Sequence, residues 1–176
     1  MVELDSIGIR AIEKNDLSII QQWRNNENLR KYFREYRDFS HTQLSDWYEK
    51  MVFNKDFEMF VIEDLEDNQI VGVTGLTYID WVNRHCDLHF YIGKNSEWID
   101  NKYSPIAIKI IVEYGFNNLN MNKLWAEVYE IDHKKIEFFS SLGFEVDATL
   151  RDHYYYKGKY YNSHILSLLK SDAKFL

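Results

Sequence analysis

The chain of 176 residues is poor in the residues that break or cross-link a fold, with one proline, one cysteine and seven glycines. A lone cysteine forms no disulfide within the chain, so a packed interior must hold the fold together. No proline-rich or serine-rich tract and no internal repeat marks a linker. We therefore predict one domain over residues 1–176, and its 45% of hydrophobic residues can build a core.

Long apolar runs and positive charge are also scarce. No apolar run approaches the length of a membrane span, and the N-terminus lacks the parts of a signal peptide, so we expect a cytoplasmic protein without membrane contact. Lysine and arginine number 21 against 28 acidic residues, which gives a net charge of −7. Such a surface repels phosphate backbones, so nucleic acid is not an expected partner. The acidity either serves solubility alone or favours a cationic partner.

Hydrophobic periodicity predicts a mixed α/β (α+β) fold. Apolar runs predict strands over residues 7–12, 57–63, 69–79, 86–93, 123–130, 145–156 and 160–169. Helical spacing predicts helices that begin at residue 15 or 16, near 40, at 106 and at 132, the last one stopping at Gly143. Turn-forming clusters at 66–68 and 157–159 indicate antiparallel hairpins, and strand–helix units lie between these hairpins.

The segment 86–144 repeats the order strand, loop and helix, and its first loop closes on Ser104-Pro105. Serine suits a helix N-cap, and proline suits the first helical turn. The first amides of a helix lack intrahelical acceptors and lie at its positive end, so they form a ready anion site. The Ser104-Pro105 pair is also explained as an ordinary helix start that binds no ligand. Lys102 places a cation beside it, which favours a phosphate-bearing cofactor.

Every second residue from His85 to His89 shares one face of a predicted strand, so His85, Asp87 and His89 lie together. The two histidines are about 13 Å apart along a strand, too far for one metal ion, and no metal-binding motif accompanies them. We therefore expect no metal site. As an acid/base site, Asp87 or His89 could withdraw a proton from a bound nucleophile. The alternative is a face that bonds only to neighbouring strands.

Two other segments each admit two interpretations. The tyrosines at 154–156 and 160–161 flank a glycine turn, so they either pair across strands or also shape an acceptor pocket. The charged and aromatic residues 34–38 form either a functional loop or a solvated turn between helices.

The sequence resembles the GNAT superfamily of N-acetyltransferases over nearly its whole length. The resemblance is clearest in residues 70–93 and 132–144, the latter ending in Phe-Phe-Ser-Ser-Leu-Gly-Phe. Further support comes from Trp23-Arg24-Asn25, Tyr103, Ala107 and Gly158-Lys159-Tyr160. The chain looks most similar to the branch of ribosomal-protein N-terminal, spermidine and aminosugar-nucleotide acetyltransferases.

The resemblance implies a single GNAT-like domain, with helices on both faces of a twisted mixed sheet and a splayed central strand pair. Acetyl-CoA would bind in the splay, with its pantetheine arm along the strand that ends at Gly93 and its pyrophosphate on the amides of residues 101–104. The implied cofactor contacts are Tyr91, Ile92, Gly93, Asn101, Lys102, Tyr103, Ser104, Asp132, Lys135 and Phe139.

The chain departs from the family pattern at two places. The family's pyrophosphate loop is Q/R-x-x-G-x-G/A, and residues 99–104 carry Lys102 and Ser104 at its glycine positions. A lysine that adopts positive φ there pays a steric cost that glycine avoids. The helix after the second strand begins with Asp132 instead of Asn and carries Phe139 instead of the usual tyrosine acid. Tyr129 or a water must replace that acid, or the enzyme works without one.

The resemblance therefore predicts an N-acetyltransferase that transfers acetyl from acetyl-CoA to a primary amine. An amine with a pKa near 10.4 is protonated at neutral pH and needs a base, for which Asp87 ranks first and His89 second. We expect the acceptor to contact Arg34, Glu35, Tyr36, Tyr78 and Asp80.

Several alternatives stay open from the sequence. The acceptor is a polyamine, a peptide N-terminus or an aminosugar nucleotide, and the protein is a monomer or a homodimer. Because Phe139 removes the usual acid, a non-catalytic acyl-CoA-binding module is the alternative to an enzyme.

Overall fold

The computed structural model describes residues 2–174 and contains one eight-stranded sheet. Within residues 2–174, no helix has the length and hydropathy needed to cross a membrane. Short 3-10 turns, at Lys14–Asp16, Lys94–Ser96 and Lys170–Asp172, and a π turn at Tyr114–Asn118 add to the main elements. These elements are, in chain order, β1 (Val2–Leu4), β2 (Ile7–Ala11), α1 (Leu17–Asn25), α2 (Glu27–Arg30), α3 (His41–Val52), β3 (Glu58–Asp64), β4 (Gln69–Asp80), β5 (His85–Ile92), α4 (Ser104–Glu113), β6 (Lys123–Tyr129), α5 (His133–Ser141), β7 (Glu145–Tyr156) and β8 (Lys159–Leu169).

The sheet has the strand order β1-β2-β3-β4-β5-β6-β8-β7, and all neighbours are antiparallel except β5 and β6. The parallel pairing of β5 with β6 covers only His85 with Lys123, Cys86 with Leu124, and Asp87 with Trp125. Beyond that point the two strands diverge, so residues 88–92 of β5 do not pair with β6. The predicted splayed strand pair is therefore confirmed.

Strand β5 is buried on both faces, which is unusual for a strand with polar residues at alternate positions. Leu88, Phe90 and Ile92 face the core, and the apolar α4 packs against β2, β4 and β5. On the other face, Asp87 and Tyr91 are also buried, so the polar groups of this face must find partners within the protein.

Local signals in the sequence correctly marked several element ends. Ser40 caps α3 in a capping box with Gln43. Gly143 ends α5 in the left-handed region at φ 88°, where glycine has no steric penalty. Lys157 and Gly158 form the β7–β8 turn with φ 47° and 83°. The predicted cross-strand aromatic pair, Tyr155 with Tyr160, has ring centroids 5.1 Å apart.

Of two predicted helix caps, the one at Ser104 was wrong, and Asp16 has the predicted N-cap position of α1 but makes no side-chain cap. Ser104 is the first residue of α4, and its hydroxyl bonds to Asp100 instead of to a helix amide. The carboxylate of Asp16 bonds to Arg10 and to the Glu13 amide, so it does not cap α1. In both places, a nearby polar group offers a stronger partner than the helix amides.

Gly93, at the end of β5, is required by close packing. A Cβ atom there would lie 2.0 Å from the indole ring of Trp23, so any larger residue forces α1 away from the sheet. We expect Gly93→Ala to lower the free energy of unfolding by about 1–3 kcal/mol.

A double-mutant cycle in urea with Trp23→Leu measures this effect. The cost of Gly93→Ala should shrink by about 1 kcal/mol or more in the Trp23→Leu background, because the ring that collides has gone. An equal cost in both backgrounds would contradict the packing explanation.

Candidate active site

The point where β5 and β6 separate is marked by one arginine that holds two carboxylates. Arg34, in the loop after α2, donates from Nη1 to the Asp87 carboxylate at 2.6 Å and from Nε to Glu127 at 3.1 Å. Asp87 is 5% exposed. Burial raises the pKa of Asp87, and the Arg34 charge opposes that rise. The predicted base is therefore a buried carboxylate that is already ion-paired.

His89 lies two residues further along the same face of β5. Its imidazole meets the ring of Tyr91 edge to face, with centroids 5.6 Å apart. Burial, helped by the charges of Arg24, Lys135 and Arg34, moves the pKa of His89 well below its usual value. His89 is therefore neutral at pH 7, so its imidazole can accept a hydrogen bond or a proton, although it is a weak base.

Tyr129, at the end of β6, stacks on Tyr154 of β7 with ring centroids 3.8 Å apart and planes 7° from parallel. Burial and the nearby Glu127 raise the pKa of Tyr129 above its usual value. The phenol therefore stays protonated and can donate a proton. Its role as the acid that replaces the missing family tyrosine stays a prediction.

Glu127 is a site residue that the sequence analysis missed. Its carboxylate bonds to Arg34 and lies 3.5 Å from Nε2 of His153 on β7. The signal was present, because Glu127 and Tyr129 are two residues apart and so share one face of β6.

A cavity of about 220 Å³ lies between β5 and the α1–α3 layer. Its wall is mostly apolar, and its polar residues include Arg24, Arg34, Asp87, His89 and Tyr91. The guanidinium of Arg24 lies over the ring of Phe33 at 3.8 Å. The buried hydroxyl of Tyr91 has no hydrogen-bond partner within residues 2–174. This cavity thus combines apolar walls with donors that have no acceptor.

Four of the residues predicted to contact the acceptor line three neighbouring cavities. Arg34 and Tyr78 line the 220 Å³ cavity, and Tyr36 lines a larger, aromatic-walled cavity of about 1040 Å³ beside Tyr129. Glu35 lines a smaller cavity of about 180 Å³ at the splay, where its bonds to Arg37 lower its pKa to about 2.

Asp80 does not belong to this site. Its carboxylate accepts from the amides of Val82 and Asn83 and from the Asn83 side chain, which assigns it to the β4–β5 turn. The strand alternation that suggested it ignores the irregular register of β4 between Thr77 and Asp80.

The loop that was expected to hold a pyrophosphate already holds a carboxylate. Asp100 accepts from the backbone amides of Lys102, Tyr103 and Ser104 at 3.3, 3.1 and 2.8 Å. Lys102 does not adopt positive φ, so it avoids the steric cost expected at a glycine position. Its ammonium bonds to Asp64 at 2.9 Å. Asn101, also in this loop, is exposed.

The splay is filled by side chains from α5 and from the loop after β5. The buried ammonium of Lys135 donates to the Phe90 carbonyl at 2.9 Å. Asp132 caps α5 through the Lys135 amide at 3.1 Å and accepts from Nε1 of Trp98 at 2.6 Å. Phe139 is fully buried, with its ring centroid 5.6 Å from the Lys135 ammonium.

With this geometry established, comparison with known proteins defines the class. The sequence profile of the acetyltransferase (GNAT) domain matches residues 9–165. The chain therefore belongs to the GNAT acetyltransferase family, as its sequence predicted. It is an N-acetyltransferase that transfers acetyl from acetyl-CoA to a primary amine, and the family supports the enzyme over the non-catalytic alternative.

Its relatives include acetyltransferases with named acceptors. Spermidine N(1)-acetyltransferase of Escherichia coli strain K12 is 29% identical over 163 residues, which cover 93% of this chain and 86% of that protein. A structure of spermidine N-acetyltransferase from Vibrio cholerae in complex with CoA and spermine has a TM-score of 0.88 at 24% identity, over 96% of this chain and 98% of that chain. A dodecameric structure of the Vibrio cholerae enzyme has a TM-score of 0.82 at 22% identity, over 97% and 96% of the two chains.

We call the β6 side of residues 88–92 and the amides of residues 102–104 the donor channel; its polar groups are bonded within the protein and leave no room for acetyl-CoA. Asp100 takes the amides expected to bind pyrophosphate, and Lys135 takes a carbonyl on the strand edge expected to pair with pantetheine. Gly93 serves packing against Trp23. Acetyl-CoA would supply the acetyl group when it is bound.

Exchange of the Asp87 carboxylate tests whether this group is the base. We expect Asp87→Asn to lower kcat/KM by at least about 100-fold, with CoA affinity nearly unchanged, because general-base assistance is lost. His89→Gln is the matched control on the same strand face. Loss of activity in His89→Gln alone would assign the base to the histidine, and full activity in both variants would exclude this strand face.

The pH dependence of the unfolding free energy tests whether the Lys135 ammonium is buried. Burial lowers the pKa of Lys135 to about 8 from 10.5. Between these values the unfolded chain binds more protons than the folded one, so the contribution of Lys135 to stability rises with pH. We expect the unfolding free energy of the wild type, relative to Lys135→Met, to increase by at most about 3 kcal/mol from pH 8 to 10.5. A flat difference in urea titrations would show that the ammonium is solvated.

Proposed function

We propose that this N-acetyltransferase acts on a small primary amine that also carries a carboxylate or a phosphate. The observation that supports the proposal is Arg24, a cation on the wall of the 220 Å³ cavity without an ion-pair partner among residues 2–174. Burial lowers the pKa of Arg24, and Glu35, a carboxylate that acts on it, is bonded to Arg37. An anionic group on the acceptor would supply the missing partner.

The neighbouring donors point to the same chemistry. The Tyr91 hydroxyl is buried without a hydrogen-bond partner among residues 2–174. Tyr91 and Arg24 line the same cavity and both contact the ring of Phe33, at 4.9 and 3.8 Å. A buried donor without an acceptor costs about 1–3 kcal/mol, and an oxygen-rich anion would accept from both residues. The apolar wall of the cavity suits the alkyl part of such an amine.

The acids of the cleft do not favour a polycation. Asp87 and Glu127 are both held by Arg34, so a polyamine would have to compete with an internal cation for each carboxylate. The second candidate is still a polyamine, because relatives are named for spermidine and the chain has a net charge of −7.

For the chemistry, Asp87 and then His89 remain our candidates for the base, and Tyr129 for the acid. All three line the 180 Å³ cavity at the splay, together with Arg34 and Glu127. This cavity lies between the acceptor side and the donor channel, which supports their assignment to proton transfer.

Other expectations stay predictions. The homodimer, the cytoplasmic location and the absence of nucleic-acid partners rest on the sequence. The exposed edge strand β7 offers a surface for self-association, and sedimentation velocity would measure the oligomeric state.

Matched amines test the acceptor class. Lysine and cadaverine differ only in a carboxylate, and O-phosphoethanolamine and ethanolamine differ only in a phosphate. We expect the anionic member of at least one pair to be acetylated with a kcat/KM at least about tenfold higher, and above that for spermidine, because a charge-assisted bond to Arg24 contributes about 1.5–3 kcal/mol.

Arg24→Leu should abolish that preference mainly through KM, whereas Lys31→Leu, a control that removes an equal charge from the edge of the larger cavity, should preserve it. Preferred acetylation of spermidine and cadaverine, with no effect of Arg24→Leu on acceptor choice, would contradict the proposal and support a polyamine acceptor.

A further inference from the structure

The amides at the start of α4 already bind an anion that belongs to the chain. The Asp100 carboxylate, 7% exposed, accepts from three successive backbone amides, at 102, 103 and 104, and from the Ser104 hydroxyl at 2.8 Å. The Ser104 hydroxyl in turn accepts from the Asp100 amide at 3.0 Å. A carboxylate at this position satisfies the helix amides and the positive end of the helix dipole, as a phosphate would.

The cation of this loop is also neutralised from within. Lys102 bonds to Asp64, which is buried at the end of β3, and the Tyr103 hydroxyl donates to the same carboxylate at 2.9 Å. The ammonium is therefore held away from the amides that carry Asp100, and an incoming phosphate meets a carboxylate there first.

The free edge of β5 is occupied in the same way. The amide and carbonyl of Ile92 face the β6 side, and both bond to the backbone of Trp98, at 2.8 and 3.0 Å. Two residues earlier, the Phe90 carbonyl faces the same side and accepts from Lys135. These are the groups with which an extended chain of amides would pair in the splay.

This closed arrangement has an energetic cost. Trp98 has a φ of 63°, a left-handed conformation that is unfavourable for a bulky residue. The ammonium of Lys135 is fully buried beside the rings of Trp98 and Phe139, at 4.7 and 5.6 Å from their centroids. Both groups would gain from release, so the closed state can be exchanged for a bound one.

We propose that Asp100 and Lys135 close the donor channel of the free protein, where they substitute for the pyrophosphate and the pantetheine amides, and that CoA binds only after both side chains leave. The two are positioning residues that set donor affinity. Only the fraction of free protein in which Asp100 and Lys135 have left the channel can bind CoA. The apparent affinity for CoA is reduced by that fraction. The inference concerns the donor alone and does not depend on the acceptor class.

Isothermal titration calorimetry with CoA tests the proposal without an acceptor. We expect Asp100→Gly to bind CoA at least about tenfold more tightly than the wild type, because the amides become free. Lys135→Ala should also bind more tightly, since it frees the Phe90 carbonyl. Asp67→Asn is the matched control: it removes an exposed charge, paired to Lys94 at 3.6 Å, without touching the amides, and it should change CoA affinity by less than about twofold.

Asp100→Gly also removes bonds at the start of α4, so its melting temperature is measured without CoA. If it does not fold, Lys135→Ala gives the answer alone. Unchanged or weaker CoA binding by the folded variants would overturn the proposal and make Asp100 a simple structural cap. An equal gain in Asp67→Asn would also overturn it, since general repulsion would then explain the effect.

Discussion

The ion pair network of Arg34 with Asp87 and Glu127 is the interaction on which the site depends. It joins β5 to β6 at the point where their parallel pairing ends. Asp87 is buried whereas the Arg34 side chain is 44% exposed, so removal of Arg34 would leave a buried carboxylate without its compensating charge. Arg34 also pairs with two acids of the cleft, Asp87 and Glu127, which is one reason for proposing an acceptor with an anionic group.

The separation of β5 from β6 creates an acceptor side and a donor side. On the acceptor side, and among residues 2–174, Arg24 has no carboxylate partner and the Tyr91 hydroxyl has no hydrogen-bond partner. On the donor side, the diverging strands expose an edge that Trp98 and Lys135 cover. Within residues 2–174, the polar groups of the donor side are therefore bonded internally, whereas the acceptor side keeps donors without acceptors.

Local signals made much of this fold predictable. The strands, the two hairpins and the helix stop at Gly143 follow from periodicity and turn chemistry within a few residues. The pairing of Arg34 with Glu127 joins residues 93 positions apart, and no local pattern specifies it. The sequence also does not show that the Asp100 carboxylate takes the amides of residues 102–104. There it competes with any external anion for the same amides. The resemblance predicts residues 99–104 as the pyrophosphate loop, and the folded structure adds that Asp100 occupies the amides of this loop.

We propose above that Asp100 and Lys135 close the donor channel and that the channel opens for CoA. A crystal structure of the complex with CoA tests it most directly. We expect the pyrophosphate to lie on the amides of residues 102–104, from which the Asp100 carboxylate is released. The Lys135 ammonium should be withdrawn from the Phe90 carbonyl. CoA bound in the splay with both bonds intact would contradict it.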